Sequence, residues 1–304
     1  MGTKKQVTGH LLAFITTFIW GTTFISTKVL LRSASPVEIM FFRLIVAFIA
    51  LSLAYPHKLK VTDRKQELYF AAAGLCGVTL YFILENIALT YTFASNVAVI
   101  ISVAPFFTAI FAHLFLDGEK LKPQFFVGFV VAVTGIFLIS FNGQNVLRLN
   151  PLGDVLAVLA AVVWAAYSIL TKKISGFGYN TVQATRRIFF YGLVFMIPAL
   201  FVFEFRPSLD LIIQPVNLLN LLFLGLGASA LCFVTWSFAL KILGAVKTSV
   251  YIYMVPVVTV ITSAIVLREQ ITGVAALGTA LTLAGLFISE NKIFMKKDKQ
   301  NPAK

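Results

Sequence analysis

The chain has 304 residues, of which 59% are hydrophobic and only 12% are charged. A typical soluble domain is about 45–50% apolar and ~25% charged, so this composition excludes a soluble enzyme, a disordered chain and a disulfide scaffold. The formal net charge of +13 would favour nucleic-acid binding in a soluble protein, but in an apolar chain it is typical of basic cytoplasmic loops. We therefore expect a lipid bilayer around this chain and no nucleic-acid partner.

Apolar runs separated by short polar or Pro/Gly breaks predict ten membrane-spanning helices. Each run is close to the ~20 residues that a transmembrane helix needs. The first run follows Lys4 and Lys5 and is longer than the ~7–15-residue apolar core of a cleavable signal, so it is interpreted as a span. The predicted spans cover residues 10–31, 37–55, 68–89, 94–116, 123–141, 152–172, 182–203, 217–240, 247–267 and 271–290.

The distribution of basic residues predicts the orientation of these spans. With ten spans both termini lie on the same side, and that side carries 17 Lys and Arg residues, whereas the opposite loops carry 5. Because Lys and Arg are enriched in cytoplasmic loops, we expect both termini of this multi-pass protein in the cytoplasm.

The two halves of the chain repeat each other at nearly constant spacing. The matching pairs, 144 to 151 residues apart, are Trp20/Trp164, Arg43/Arg187, Phe82/Phe233, Pro105/Pro256, Glu119/Glu269, Gly128/Gly278 and Gly135/Gly285. Each half holds five spans, and an odd number makes the second half enter the membrane from the opposite face. The predicted fold is therefore an all-α membrane protein with ten transmembrane helices in two inverted five-helix repeats, residues 1–145 and 146–304. Such repeats are a recurring architecture of secondary transporters, in which a midplane site opens alternately to either side.

Glu85 is the clearest ionisable residue inside a predicted span. Burying a charge in hydrocarbon is costly unless it is paired or hydrated. Glu85 therefore either meets a cationic part of a substrate or carries a coupling proton, or it pairs with Arg43 or with a lysine near a span end. Tyr81 lies one turn earlier on the same helix face, and Asn86 follows directly. Arg43 and Arg187 occupy equivalent positions, which favours a shared structural role such as binding a neighbouring helix end or lipid headgroups.

Pro105 and Pro256 lie in the middle of predicted spans, where a proline removes one backbone hydrogen bond and kinks the helix. Kinks without a functional role are common in membranes, but the symmetric placement of these two favours gating. The stretches before them are unusually polar and contain Asn96, Tyr251 and Tyr253. We interpret these stretches as the mouths of helices that line a path.

Tryptophans at mid-depth, rather than at the membrane surface, suit a cavity wall, although helix packing accounts for them equally well. Trp20 and Trp164 are such a pair, and Trp236 occupies the position equivalent to Glu85. We expect these three tryptophans to line the substrate cavity together with Tyr81, Glu85, Asn86, Asn96, Tyr251 and Tyr253. The glycines spaced seven residues apart in the fifth and tenth spans allow close helix approach. They predict packing or dimer faces, which leaves a homodimer open.

Together these features resemble the EamA family of the drug/metabolite transporter superfamily. The resemblance covers about residues 10–290 and is carried by a Pro–Glu–Gly–Gly series in each half: Pro105, Glu119, Gly128 and Gly135, then Pro256, Glu269, Gly278 and Gly285. The Trp20-Gly21 pair with Lys28 also resembles the family's first helix, whereas Trp164 is followed by Ala165. The resemblance implies an inner-membrane carrier that exports amino acids, other small metabolites or toxic compounds, by facilitated or proton-coupled transport. It also implies a central cavity enclosed by helices 1, 3, 4, 6, 8 and 9.

Motifs of other protein classes are missing from the sequence. It contains no P-loop, no HExxH, no GxSxG and no cluster of His and carboxylates at metal-ligand spacing, so we predict no enzymatic activity, no metal and no cofactor. A membrane-embedded enzyme acting on lipid or lipid-linked substrates would need a catalytic cluster near an interface. A channel or scramblase would not need inverted repeats with symmetric kinks. The expected function is export of small metabolites, most of all amino acids or related compounds, with protons as a candidate coupling ion.

Overall fold

A computed structural model describes residues 3–61, 63–91, 94–118, 123–140, 150–203, 205, 213–266 and 272–290. Every regular element in these residues is helical. Among them, eight helices are long and apolar enough to cross a membrane, and two further apolar helices, Pro123–Leu138 and Ala276–Ser289, are shorter. The predicted all-α membrane fold is confirmed.

The helices follow the predicted spans closely. The first half contains α1 (Thr3–Leu30), α2 (Pro36–Ala54), α3 (Arg64–Tyr91), α4 (Ala94–Ile101, continuing as Ala104–Phe115) and α5 (Pro123–Ser140). The second half contains α6 (Pro151–Ser175), α7 (Thr181–Val202), α8 (Pro215–Leu243), α9 (Ala245–Ser249, a 3-10 turn Val250–Tyr253 and Met254–Val266) and α10 (Gly273–Glu290). The first helix begins seven residues before the predicted boundary, because the polar residues ahead of the apolar run continue the helix.

Local side-chain caps set where several helices begin, because the first N–H groups of a helix have no partner within it. At the start of α2, the Ser35 hydroxyl accepts a hydrogen bond from the backbone N–H of Glu38, and the Glu38 carboxylate accepts one from the N–H of Ser35. The side chains of Asn150 and Asn180 cap α6 and α7 by accepting hydrogen bonds from backbone N–H groups of the first turn. These caps explain why short polar loops suffice to separate long apolar helices.

Helices α3 and α8 each contain a wider, π-helical segment, over Leu75–Leu80 and Phe223–Leu231. The two segments occupy equivalent positions in the repeat. A glycine in each half allows the other half to approach closely here: a Cβ on Gly74 would lie 2.6 Å from the carbonyl oxygen of Ile188, and one on Gly225 would lie 2.5 Å from Val46 Cγ1. Short π-helical segments within α-helices are frequent at functional sites.

The main packing contacts that helices of the first half make have equivalent contacts made by the corresponding helices of the second half. Helix α1 packs on α8 and α9, and α6 packs on α3 and α4; α2 packs on α8, and α7 packs on α3. The ends of these helices repeat the pattern at atomic detail. Lys28 Nζ donates to the carbonyl oxygen of Leu89 at 2.6 Å, and its equivalent Lys172 donates to that of Leu240 at 3.1 Å. The described helices are thus arranged with pseudo-twofold symmetry.

The glycine faces of α5 and α10 pack against each other within the chain. A Cβ on Gly135 would lie 2.5 Å from the carbonyl oxygen of Gly278, and one on Gly285 would lie 2.6 Å from that of Gly128. Of the two uses predicted for these glycines, the structure shows close packing inside one chain. A homodimer stays a prediction, and it would need another surface.

Helix geometry changes just before each mid-span proline. Helix α4 is interrupted at Ser102 and Val103, and Ser102 Oγ donates to the carbonyl oxygen of Ala98 at 2.7 Å. In α9 the 3-10 turn Val250–Tyr253 precedes Pro256. A proline lacks the N–H that would bond to the preceding turn, and its ring crowds the carbonyl there, which explains both interruptions.

Candidate functional site

A cavity of about 490 Å³, part of it open to solvent, lies among seven of the helices. Its lining is mostly aromatic and aliphatic, with two charged side chains. The lining residues are Trp20, Thr23, Phe24, Arg43, Tyr81, Phe82, Glu85, Ile101, Trp164, Phe233, Ile252 and Val255.

Arg43 supplies the positive charge of the cavity and is held firmly. Its side chain is 3% exposed, its Nε donates to Ser229 Oγ at 3.1 Å, and its guanidinium carbon lies 4.0 Å from the centroid of the Phe82 ring. Ser229, which accepts this hydrogen bond, lies in the wide segment of α8, and Phe82 lies on α3. A guanidinium fixed in this way still has other N–H groups to offer, so Arg43 suits an anionic group in the cavity.

Glu85 supplies the negative charge, one turn beyond Tyr81 on α3. It is 6% exposed, and it attracts Arg43 electrostatically, but within the described residues the two do not form an ion pair within 4 Å. The direct salt bridge that sequence analysis left open is therefore not formed in this structure. The cavity holds a carboxylate and a guanidinium near each other, each able to meet a group of opposite charge.

Aromatic rings from both halves form the floor of the cavity. The ring centroids of Trp20 and Trp164 are 5.1 Å apart in an edge-to-face arrangement, and those of Phe82 and Phe233 are 5.9 Å apart. Both pairs are equivalent positions of the repeat, so the pseudo-twofold axis passes through this cluster. Trp20 Nε1 donates to the carbonyl oxygen of Ala228 at 2.9 Å, in the wide segment of α8.

Four residues predicted for the cavity do line it: Trp20, Tyr81, Glu85 and Trp164. Trp236 is fully buried and packs behind Trp20, with centroids 5.1 Å apart. Asn86 turns away from Glu85, and its Nδ2 donates to the carbonyl oxygen of Pro36 at 3.2 Å. The expectation that Trp236 and Asn86 line the cavity is not met, because they lie on other faces of their helices.

The polar stretch of α9 is also placed differently from the prediction. Tyr251 shares a hydrogen bond with His10 Nδ1 at 2.8 Å, and Tyr253 is fully buried in a separate cluster with Phe125 of α5 and Leu286 of α10. Ile252 lines the cavity instead. The 3-10 turn advances three residues per turn rather than 3.6, which changes the face that each side chain occupies. The side chain of Asn96 lies outside the described residues.

The two equivalent arginines meet different partners. Arg187 forms an ion pair with Glu67 at 2.6 Å, and the Tyr191 hydroxyl donates to the same carboxylate. The position equivalent to Glu67 in α8 is Leu218, so Arg43 has no matching carboxylate and faces the cavity. Arg187 thus has a visible structural role, whereas Arg43 belongs to the cavity.

Sequence reasoning missed the remaining lining residues, which are Thr23, Phe24, Phe82, Ile101, Phe233, Ile252 and Val255. Most are ordinary residues for an apolar span. The pair Phe82 and Phe233 carried a usable signal, since the two match in the repeat as Trp20 and Trp164 do. Equivalent aromatic pairs therefore mark this cavity better than single polar residues.

Comparisons with known proteins agree with these features. The EamA-like transporter family matches the chain twice, over residues 7–141 and 151–290. An "Uncharacterized transporter" of Archaeoglobus fulgidus is 28% identical over 93% of this chain and 97% of its own. A solved crystal structure shares the fold, with a TM-score of 0.76 and 18% identity over 93% of this chain and 96% of that one.

Two further relatives have more specific names. A "Probable terminal-alkyne amino-acid exporter" of Streptantibioticus cattleyicolor is 27% identical over 100% of both chains. A "Probable amino-acid metabolite efflux pump" of Escherichia coli is 26% identical over 91% of this chain and 93% of its own. With a family match over both halves and an all-helical apolar fold, this multi-pass membrane protein belongs to the EamA-like transporter family.

Proposed function

We propose that this protein is an inner-membrane secondary transporter that exports amino acids or related small metabolites through the central cavity. The observation that carries the proposal is that Arg43 and Glu85 line the same aromatic cavity without forming an ion pair with each other. The guanidinium suits a carboxylate, the carboxylate suits an ammonium group, and the rings of Trp20 and Trp164 offer faces to an apolar side chain. The names of the two amino-acid exporters above support the same class of substrate.

Alternating access is supported by an asymmetry between the two halves. The cavity is lined on one side by Thr23, Tyr81 and Glu85, whereas the equivalent residues Tyr167, Cys232 and Trp236 are fully buried. In a carrier whose two repeats exchange conformations, each state is expected to open only one of the two equivalent sides. With the predicted orientation, these three lining residues lie in the halves of α1 and α3 that are away from the cytoplasm.

Counterflow in proteoliposomes tests transport directly. The purified protein is reconstituted, and uptake of each of the twenty labelled L-amino acids is measured against an excess of the same unlabelled compound inside. We expect saturable, trans-stimulated uptake of at least one of them. Unsaturable flux at channel rates would overturn the carrier, and the absence of uptake of every compound would overturn the amino-acid substrate.

Proton coupling is tested with Glu85→Gln, because the amide cannot carry a proton through the cycle. A pH gradient should stimulate wild-type uptake and leave uptake by Glu85→Gln unchanged. Glu67→Gln is the matched control, since Glu67 is a carboxylate of the same helix that is paired with Arg187 outside the cavity. If the gradient stimulates Glu85→Gln as strongly as wild type, Glu85 is not the coupling site.

A further inference from the structure

The two equivalent tryptophans of the central cavity make different use of their indole N–H groups. Trp20 Nε1 donates to the carbonyl oxygen of Ala228 at 2.9 Å. Trp164 Nε1 is buried and has no hydrogen-bond partner among the described residues. A buried N–H group without an acceptor costs free energy comparable to a lost hydrogen bond. The missing equivalent of the Trp20 bond therefore calls for a physical explanation.

The first half contains the acceptor that Trp164 would need. The residue equivalent to Ala228 is Gly77, and the two lie in the wide segments of α8 and α3. In an α-helix the Gly77 carbonyl would accept from the N–H of Tyr81, which instead donates to the carbonyl of the preceding residue; Ala228 is bypassed likewise. Because a carbonyl oxygen has two lone pairs, Gly77 can offer Trp164 what Ala228 offers Trp20.

The ring of Tyr167 occupies the space beside Gly77 in this structure. It packs on Gly77 so closely that a Cβ there would overlap it, and its centroid lies 4.9 Å from that of Trp164. The equivalent positions are Thr23 and Ala228, a smaller side chain and a residue that carries a Cβ. A ring packed on a glycine is therefore possible at only one of the two equivalent places.

We propose that the indole hydrogen bond passes from Trp20 to Trp164 when the cavity changes the side to which it opens. Inverted repeats change access by adopting each other's conformations. The bond from Trp20 to Ala228 in the present state is then replaced by an equivalent bond from Trp164 to the Gly77 carbonyl, once the Tyr167 ring has left Gly77. The inference rests on the transport function proposed above, because it needs two access states.

The exchange keeps the free energies of the two states close to each other. In each state one indole N–H group is bonded and the other is not, so the cost of the unpaired group is the same in both. The contact of Tyr167 with Gly77, for which Thr23 and Ala228 provide no counterpart, tips this balance towards the present state. This contact therefore sets the side on which the cavity is closed at rest.

NMR of the indole N–H groups tests the exchange without depending on transport. The chain contains only three tryptophans, so the full-length protein with isotope-labelled indole nitrogens, in lipid nanodiscs, gives one signal for each. Each signal is assigned by its loss in Trp20→Phe, Trp164→Phe or Trp236→Phe. The proton of a hydrogen-bonded indole resonates downfield of that of an unbonded one. In wild type we expect a bonded Trp20 and an unbonded Trp164; two fully bonded signals from this pair would overturn the exchange.

Gly77→Ala should shift the equilibrium between the two states. Its Cβ overlaps the Tyr167 ring in the present state, and we expect the ratio of the states to change about tenfold, equivalent to ~1.4 kcal/mol, towards the alternate one. The Trp20 signal should move upfield and the Trp164 signal downfield by the same fraction. Gly227→Ala is the matched control in the other wide segment, where a Cβ would meet its nearest side chain at 3.6 Å, and it should leave both signals in place.

Two further variants decide the question even if Gly77→Ala does not fold. Tyr167→Thr gives the second half the residue of its equivalent, Thr23, and should move both signals in the same directions as Gly77→Ala. Trp20→Phe removes the bond of the present state, so the Trp164 signal should then move downfield. Trp20 and Trp164 signals that move together, or a Trp164 signal that stays unbonded in every variant that folds, would overturn the exchange.

The counterflow panel separates the failure of this inference from the failure of the proposed function. Opposite movements of the two indole signals in a protein that carries none of the twenty amino acids would support the exchange and overturn the amino-acid substrate. Saturable counterflow without opposite movements of the Trp20 and Trp164 signals would support the carrier and overturn the exchange alone.

Discussion

The contact between α5 and α10 leads to a prediction about stability that the distances make quantitative. Gly285 lies on α10 where it faces α5, and a Cβ there would lie 2.6 Å from the carbonyl oxygen of Gly128 and 2.7 Å from the Cα of Ala132. Both neighbours are backbone atoms, so no change of side-chain rotamer relieves the overlap. The substitution Gly285→Ala must therefore push the two helices apart.

Two effects of opposite sign determine the size of the change. Alanine favours a helix interior over glycine by ~1 kcal/mol, whereas an extra carbon forced into a packed interior costs ~1–3 kcal/mol. Because the overlap involves backbone on both sides, the packing cost belongs at the upper end, and the net loss in the free energy of unfolding is ~2 kcal/mol. At roughly 2–4 °C per kcal/mol for a chain of a few hundred residues, the melting temperature should fall by about 5 °C.

Thermal unfolding of the purified protein in detergent micelles measures this effect. Gly273→Ala is the matched control on the same helix, since a Cβ there would meet no atom within 4 Å, and it should melt no lower than wild type. Gly135→Ala, the repeat equivalent on α5, should lose about as much as Gly285→Ala. The double variant should lose less than the two losses added together, because one separation of the helices relieves both overlaps.

Two results would refute this reasoning. Gly285→Ala could melt at or above the wild-type temperature, which would mean that α5 and α10 do not approach as closely as the distances require. Alternatively, the two losses could be fully additive, which would mean that the glycines act at separate contacts rather than in one interface.

Three substitutions test the cavity and its helices. Arg43→Lys keeps the charge but loses the planar stacking over Phe82, so kcat/KM in counterflow should fall about tenfold; unchanged transport would remove the guanidinium from the site. Trp20→Phe leaves the Ala228 carbonyl oxygen without its donor and should lower the free energy of unfolding by ~1–3 kcal/mol, measured by denaturation in detergent, and a neutral result would contradict that hydrogen bond. Pro105→Ala restores a backbone N–H in α4 and should raise the melting temperature while slowing turnover; faster turnover would count against a gating role.

Features that depend on local sequence could be predicted well. A span is a run of apolar residues, and a cap such as Ser35 with Glu38 is a pattern of four residues, so neither needs knowledge of distant contacts. The repeat is visible because equivalent positions such as Trp20 and Trp164 keep their spacing along the chain. Glu85 was found for a similar reason, since a carboxylate is conspicuous inside an apolar run.

Features that depend on contacts between distant helices could not be predicted in this way. Phe82 and Phe233 line the cavity, but a phenylalanine in a span has the same local signature when it faces lipid. The displacement of Tyr253 follows from the 3-10 turn before Pro256, which a period of 3.6 residues does not reveal. The different roles of Arg43 and Arg187 depend on Glu67, which pairs with Arg187 although the two lie 120 residues apart in the sequence.

By itself, the sequence determined the class of the protein, the positions of its helices and the relation between its halves. Composition and periodicity are properties of each segment, and the bilayer acts on each segment separately. Only the tertiary structure decided which faces of the helices meet. It joined Arg43 and Glu85 in one cavity and packed the glycines of α5 and α10 against each other within the chain. These outcomes depend on close packing between segments far apart in sequence, where a difference of one carbon atom decides what fits.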